Sequence, residues 1–131
     1  MTLSLAYLCV LLAALLPYLW VGIAKASAPR YDNRDPRGWI ARQDSPRLQR
    51  AYHAHSNALE AFPPFAAGVV LAQLAGVAPS TIAALAVAFL ALRIVHGAAY
   101  IADRAALRSL AWFGALGCVV TLLVRAALAV G

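Results

Sequence analysis

Two sets of polar side chains stand out in this sequence because each repeats at helical spacing inside an otherwise apolar run. Arg50, His53, Asn57 and Glu60 are separated by 3, 4 and 3 residues. Arg93, His96 and Tyr100 are separated by 3 and 4, and Asp103 or Arg104 continues the series. Steps of three and four place each set on one face of a helix. Ionisable groups in an apolar segment are costly, and they mark either a site or a structural lock. The chemistry on offer is that of paired acid and base: a buried Glu60–Arg93 ion pair, the same pair serving only to fix helix register, or a proton path through Glu60 and His96. Asn57 and His96 add hydrogen-bonding capacity between helices. Arg50, His53, Tyr100, Arg104 and Arg108, nearer the ends of their runs, can also extend toward lipid headgroups.

The elements that carry these stripes follow from composition. The chain has 131 residues, of which 63% are hydrophobic and 12% charged, and its mean hydropathy is +0.75. Soluble domains carry about a quarter charged residues. The excess of apolar side chains excludes a water-soluble globule and a disordered chain alike. Unbroken apolar runs, without strict alternation, exclude a membrane β-barrel. An all-α membrane protein follows, a single four-helix transmembrane bundle with spans at about 1–24, 51–78, 80–102 and 109–130. The first run is retained as a span although KASA, residues 25–28, resembles a cleavage site. No Lys or Arg precedes it, and its apolar stretch is too long for a signal peptide.

The basic residues set the expected orientation. The connection 25–50 holds seven of them, with Pro29, Pro36 and Pro46 expected to break any long helix there. Arg104 and Arg108 follow the third span, so nine of the eleven Lys and Arg residues lie at one side. That side is expected to be cytoplasmic, with both termini on the non-cytoplasmic face. The net charge of +6 is therefore a topology signal, and no nucleic-acid partner is expected. On the second span Glu60 lies about 15 Å from Arg50 along the axis, and Arg93 lies about 16 Å from Arg104 on the antiparallel third span. The equal depth is the basis for the expected Glu60–Arg93 pair. Pro63 and Pro64 are expected to kink the second helix and widen the polar half of the bundle. Gly68, Ala72 and Gly76, spaced by four, suit close packing in the opposite half. Cys9 and Cys118 are expected to pack as small apolar groups. His53 and His55 face different directions and lack a third ligand, so no metal site is expected.

Three stretches resemble the MAPEG family, the membrane-associated proteins of eicosanoid and glutathione metabolism. RAYHAHSNALEAFPPF, Arg50 to Phe65, is similar to the family's second-helix segment Arg-Ala-x-x-Asn-x-x-Glu-x-x-Pro-x-Phe. RIVHGAAYIADRAALRS, Arg93 to Ser109, resembles the third-helix segment of the family's prostaglandin E synthases. NRDPR, Asn33 to Arg37, is similar to a bacterial branch of the family, which implies an inner-membrane location. The resemblance implies a homotrimer that binds glutathione as cosubstrate between subunits and acts as a transferase or peroxidase on lipophilic electrophiles. It assigns glutathione contacts to Asn57 and Glu60, to Arg93, His96 and Tyr100, and to Arg50 and His53 at the mouth. Arg108 matches the arginine that stabilises the thiolate, with Arg104 as its competitor. His53 stands where the family motif has Arg, and Trp112 stands where the prostaglandin synthases have Tyr. Prostaglandin isomerase chemistry is therefore not expected. Two other readings of the residues remain: a non-catalytic bundle that binds a lipid or a partner membrane protein, and a small transporter or proton path.

Overall fold

The computed structural model describes residues 1–131, all helix and connections. Four long helices, α1 (Leu3–Ala26), α3 (Pro46–Leu74), α4 (Pro79–Ile101) and α5 (Ala105–Val130), are joined by short turns and by one connection that contains the six-residue helix α2 (Pro36–Ala41). The pair α3–α4 forms the centre. α1 and α5 each pack on both members of that pair rather than on one another. α1, α4 and α5 are long and apolar enough to cross a membrane. α3 is the longest helix, 29 residues, or about 44 Å of rise. Its first half carries Arg47, Arg50, His53, His55, Asn57 and Glu60, and its second half is apolar but for Gln73.

The prolines start helices more often than they break them. Pro36, Pro46 and Pro79 all occupy the first turns of their helices, where the missing N–H is not needed. Ser45 caps α3 by accepting from the Leu48 N–H at 3.2 Å, so this helix begins five residues before the apolar run does. Asp35 caps α2 in the same way, accepting from the Gly38 N–H at 3.1 Å. Trp39 and Ile40 of α2 are buried against Ala24, Leu48 and Ala51. The Gln49 side-chain amide donates to the Ile40 and Gln43 carbonyls. The basic connection is thus docked on the bundle. Arg34 donates to both carboxylate oxygens of Asp32, and this hydrogen bonding holds the half-buried Asp32 carboxyl below its usual pKa.

The end of the bundle farthest from this connection is close-packed and apolar. Phe65 and Phe89 stack with centroids 3.9 Å apart and planes 8° from parallel. Val69, Ala72, Ile82, Ala86, Val119 and Leu122 close the space around them, together with Cys9 and Cys118. A Cβ placed on Gly68 would meet Leu122 at 3.2 Å, so this small residue lets α5 approach α3. Gly76, expected to pack in the same row, does something else: it lies beyond α3 with φ +81° and turns the chain into α4. At Gly97 the Trp20 indole fills the space a Cβ would take, so only a glycine lets this ring lie against the α4 backbone. This contact seats α1 on α4 in the half nearest the basic connection.

Candidate functional site

α3 and α4 run antiparallel at the centre, so their two stripes face one another in the half nearest the basic connection. The strongest link between them is a hydrogen bond of 2.8 Å from Arg93 Nη2 to Asn57 Oδ1. Arg93 is buried, 3% exposed, and a guanidinium in that position needs an acceptor. The expected direct ion pair with Glu60 is not formed; the amide of Asn57 receives the bond instead. Equal depth along two helix axes does not fix their rotation, and Glu60 turns to the exposed margin of the chain. The two residues nevertheless share a cavity of about 180 Å³ between α3, α4 and α5, whose polar wall is Asn57, Glu60 and Arg93. Its apolar wall is Pro64, Phe89, Trp112, Leu116 and Val119. α3 continues as helix through Pro63 and Pro64, which bring no N–H to the carbonyls of Leu59 and Glu60. The cavity opens where that backbone is least tied.

Toward the connection, Asn57 and Glu60 also border an open groove of about 310 Å³ with His53, Ser56 and Tyr100. The Arg108 guanidinium lies over the Tyr100 ring, 4.7 Å from its centroid, a cation–π arrangement that fixes both side chains. His53 lies 6.2 Å from the same ring and His96 packs on it edge-to-face at 5.7 Å. His96 is buried, and its Nδ1 has no hydrogen-bond partner. Arg50 Nε donates to the Ile101 carbonyl at 3.1 Å, tying α3 to the C-terminus of α4, where a cation complements the exposed carbonyls. The stripe on α4 ends there. Asp103 lies beyond the helix with φ +59°, and Arg104 borders a separate surface recess with Asp103 and residues 105–107. The structure therefore brings together Arg50, His53, Asn57, Glu60, Arg93, His96, Tyr100 and Arg108, and it leaves Arg104 apart.

Arg108 joins this group because α5 starts at Ala105 rather than at Ser109. The Arg108 N–H bonds the Arg104 carbonyl at 2.9 Å, so Arg108 stands on the first turn of the helix. Apolarity marks where a helix enters the membrane, whereas Ala-Ala-Leu-Arg is good helix-forming sequence on either side of that boundary. Two contributors escaped the sequence reading. His55 Nδ1 hydrogen-bonds the Pro17 carbonyl at 2.8 Å, a tie between α1 and α3 that helical spacing on α3 alone does not signal. Phe89, four residues before Arg93, forms the apolar floor beneath the guanidinium. That i, i+4 relation was available in the sequence.

A model of the MAPEG family matches residues 5–128. A search of the curated proteins returned no match. The match spans all four long helices and includes every residue of the Asn57–Arg93 site. Together with three helices apolar enough to span a membrane, it makes this an integral membrane protein that belongs to the MAPEG family.

Proposed function

We propose that this protein is a glutathione-dependent transferase, or a peroxidase using the same thiol, that acts on lipophilic electrophiles. MAPEG members include glutathione transferases. The observation that carries the reading is the single cavity with a polar wall of Asn57, Glu60 and Arg93 and an apolar wall of Phe89 and Trp112. A tripeptide with two carboxylates, an ammonium and a thiol meets matching groups there and in the adjoining groove. Arg93, Arg50 and His53 suit the carboxylates, Glu60 the ammonium, and Asn57 and Tyr100 the amides. An apolar electrophile suits the opposite wall.

Arg108 is the residue for thiolate stabilisation. A thiol of ordinary pKa about 8.5 is mostly protonated at neutral pH. A fixed guanidinium, which keeps its proton, shifts that equilibrium toward the nucleophile. In the transfer step the sulfur electron pair forms the S–C bond, the thiol proton having passed to solvent, and the leaving group departs with its bonding pair. The assembly belonging to this reading is a homotrimer in a bacterial inner membrane. All four long helices cross, the basic connection lies in the cytoplasm and both termini lie outside.

Calorimetric titration of glutathione into the detergent-solubilised protein tests the reading. Saturable binding is expected in the millimolar range or tighter. Glu60→Gln should weaken it about tenfold, and Arg108→Ala should abolish the ultraviolet signal of bound thiolate. Absence of binding at millimolar glutathione overturns the enzyme. The interhelical bonds of Arg93, Arg50 and His55 favour one other reading, a bundle in which these residues serve assembly alone. In that case Glu60→Gln and Arg93→Gln weaken oligomer formation while glutathione leaves the melting temperature unchanged.

A further inference from the structure

Arg93 borders two cavities. The larger, toward α5, carries Asn57 and Glu60 on its polar wall. The other is a space of about 10 Å³ between α1, α3 and α4, lined by Ala13, Leu16, Ala58, Phe62, Phe89 and Arg93. All of these but Phe62 are buried, so the space belongs to the interior of a single chain. Ala13 and Ala58 bring nothing longer than a methyl group to its walls, which leaves the gap open.

Two groups beside this space are short of hydrogen bonds. A guanidinium presents a fork of N–H donors. Arg93, 3% exposed, gives one to Asn57 and reaches no carboxylate. The second group is on α1. Pro17 lies inside that helix and is fully buried. It has no N–H, so the carbonyl of Ala13, four residues earlier, loses its helical donor. A buried backbone carbonyl without a donor is costly. The Pro17 carbonyl itself is bonded to His55 Nδ1 at 2.8 Å. That bond pins this turn of α1 to α3 and keeps the Ala13 carbonyl beside the space.

We propose that this space is a site for one structural water, which donates to the Ala13 carbonyl and accepts from the Arg93 guanidinium. The volume admits a single water and nothing larger, and a void of this size with wholly apolar walls stays dry. Here the wall includes a cation. A buried water takes about two to four polar partners, and Ala13 and Arg93 supply the first two. Pro17 is thereby a positioning residue. By freeing the Ala13 carbonyl on α1, it gives the cation on α4 an anchor besides Asn57 and holds it at the wall of the larger cavity. The site does not rest on the glutathione reading, because none of its bonds involves a bound thiol.

Nuclear magnetic resonance of the detergent-solubilised protein with isotopically labelled arginine, without glutathione, tests the site. The Arg93 side-chain signals are those missing from Arg93→Leu. In the parent they should show a cross-peak to water with the sign of a long-lived bound molecule, which rotating-frame measurement separates from proton exchange. Water in the larger cavity exchanges too fast to produce it. Pro17→Ala returns an N–H to the Ala13 carbonyl and should remove the cross-peak. Ala58→Val fills the space and should remove it as well. Pro63→Ala makes the same backbone change on α3, where the carbonyl concerned is that of Leu59, and should leave the cross-peak intact. Pro17→Ala improves helix propensity, so it decides the matter even where Ala58→Val does not fold. Absence of the cross-peak in the parent, its persistence in Pro17→Ala, or its equal loss in Pro63→Ala overturns the site.

Discussion

The two halves of this bundle are held together by different forces. Near the basic connection, helices are joined by side-chain hydrogen bonds: Arg93 to Asn57, Arg50 to the Ile101 carbonyl, His55 to the Pro17 carbonyl. Cavities remain between them. In the opposite half, Phe65 and Phe89 stack directly and Gly68 admits Leu122, and the one polar tie between helices is the Tyr7 hydroxyl to Gln73. The contrast shows how a small membrane protein can keep a polar site open. Lipid supplies no hydrophobic drive between helices, so stability in the packed half comes from close contact of small and aromatic groups. The other half is then free to use long polar side chains that hold helices at a distance. Phe89 belongs to both halves, stacked on Phe65 and forming the floor of the cavity under Arg93.

That division is open to attack from either side. The largest effect should come from Arg93→Leu, which leaves Asn57 without its donor and removes the buried cation from the cavity. Truncating one partner of a buried, hydrogen-bonded charge costs about 2–5 kcal/mol. Glutathione affinity measured by titration should fall roughly 30-fold or more, while circular dichroism should still report a helical bundle because the packed half is untouched. A variant that binds as tightly as the parent would dissolve the distinction between the halves. Next is Gly97→Ala, whose Cβ collides with Trp20. Overpacking of this kind costs about 1–3 kcal/mol, read as a lower melting temperature in detergent. Gly117→Ala is the matched control, since nothing lies within 4 Å of its added Cβ, and it should show no fall.

The smallest effect belongs to the connection. The pKa of Asp32 is depressed by Arg34, so its contribution to stability is complete at neutral pH and is lost only as pH falls through and below the usual carboxylate range. Because Arg34 is 92% exposed, solvent screens that contribution. Asp32→Asn should leave the melting temperature at pH 7 unchanged. A clear drop would mean that the connection stabilises the bundle through its charges rather than through Trp39 and Ile40.

Residue types and spacing were enough to read a membrane protein built of helices, the two facing stripes and the membership of Asn57, Glu60, Arg93, His96 and Tyr100 in one region. These depend on periodicity and on the cost of charge in an apolar run, both local properties of the chain. Helix ends were less legible, because apolarity and helicity stop at different residues: Ser45-Pro46 begins α3 well before its apolar stretch, and α5 begins at Ala105. That shift of four residues is what places Arg108 over Tyr100 and leaves Arg104 outside. Tertiary structure alone decided that Arg93 meets Asn57 rather than Glu60, that Trp20 occupies the gap at Gly97, and that His55 reaches Pro17. Each depends on the rotation of one helix about its axis relative to its neighbour. That angle is set by the sum of many side-chain contacts along the whole interface, and no single repeat in the sequence encodes it.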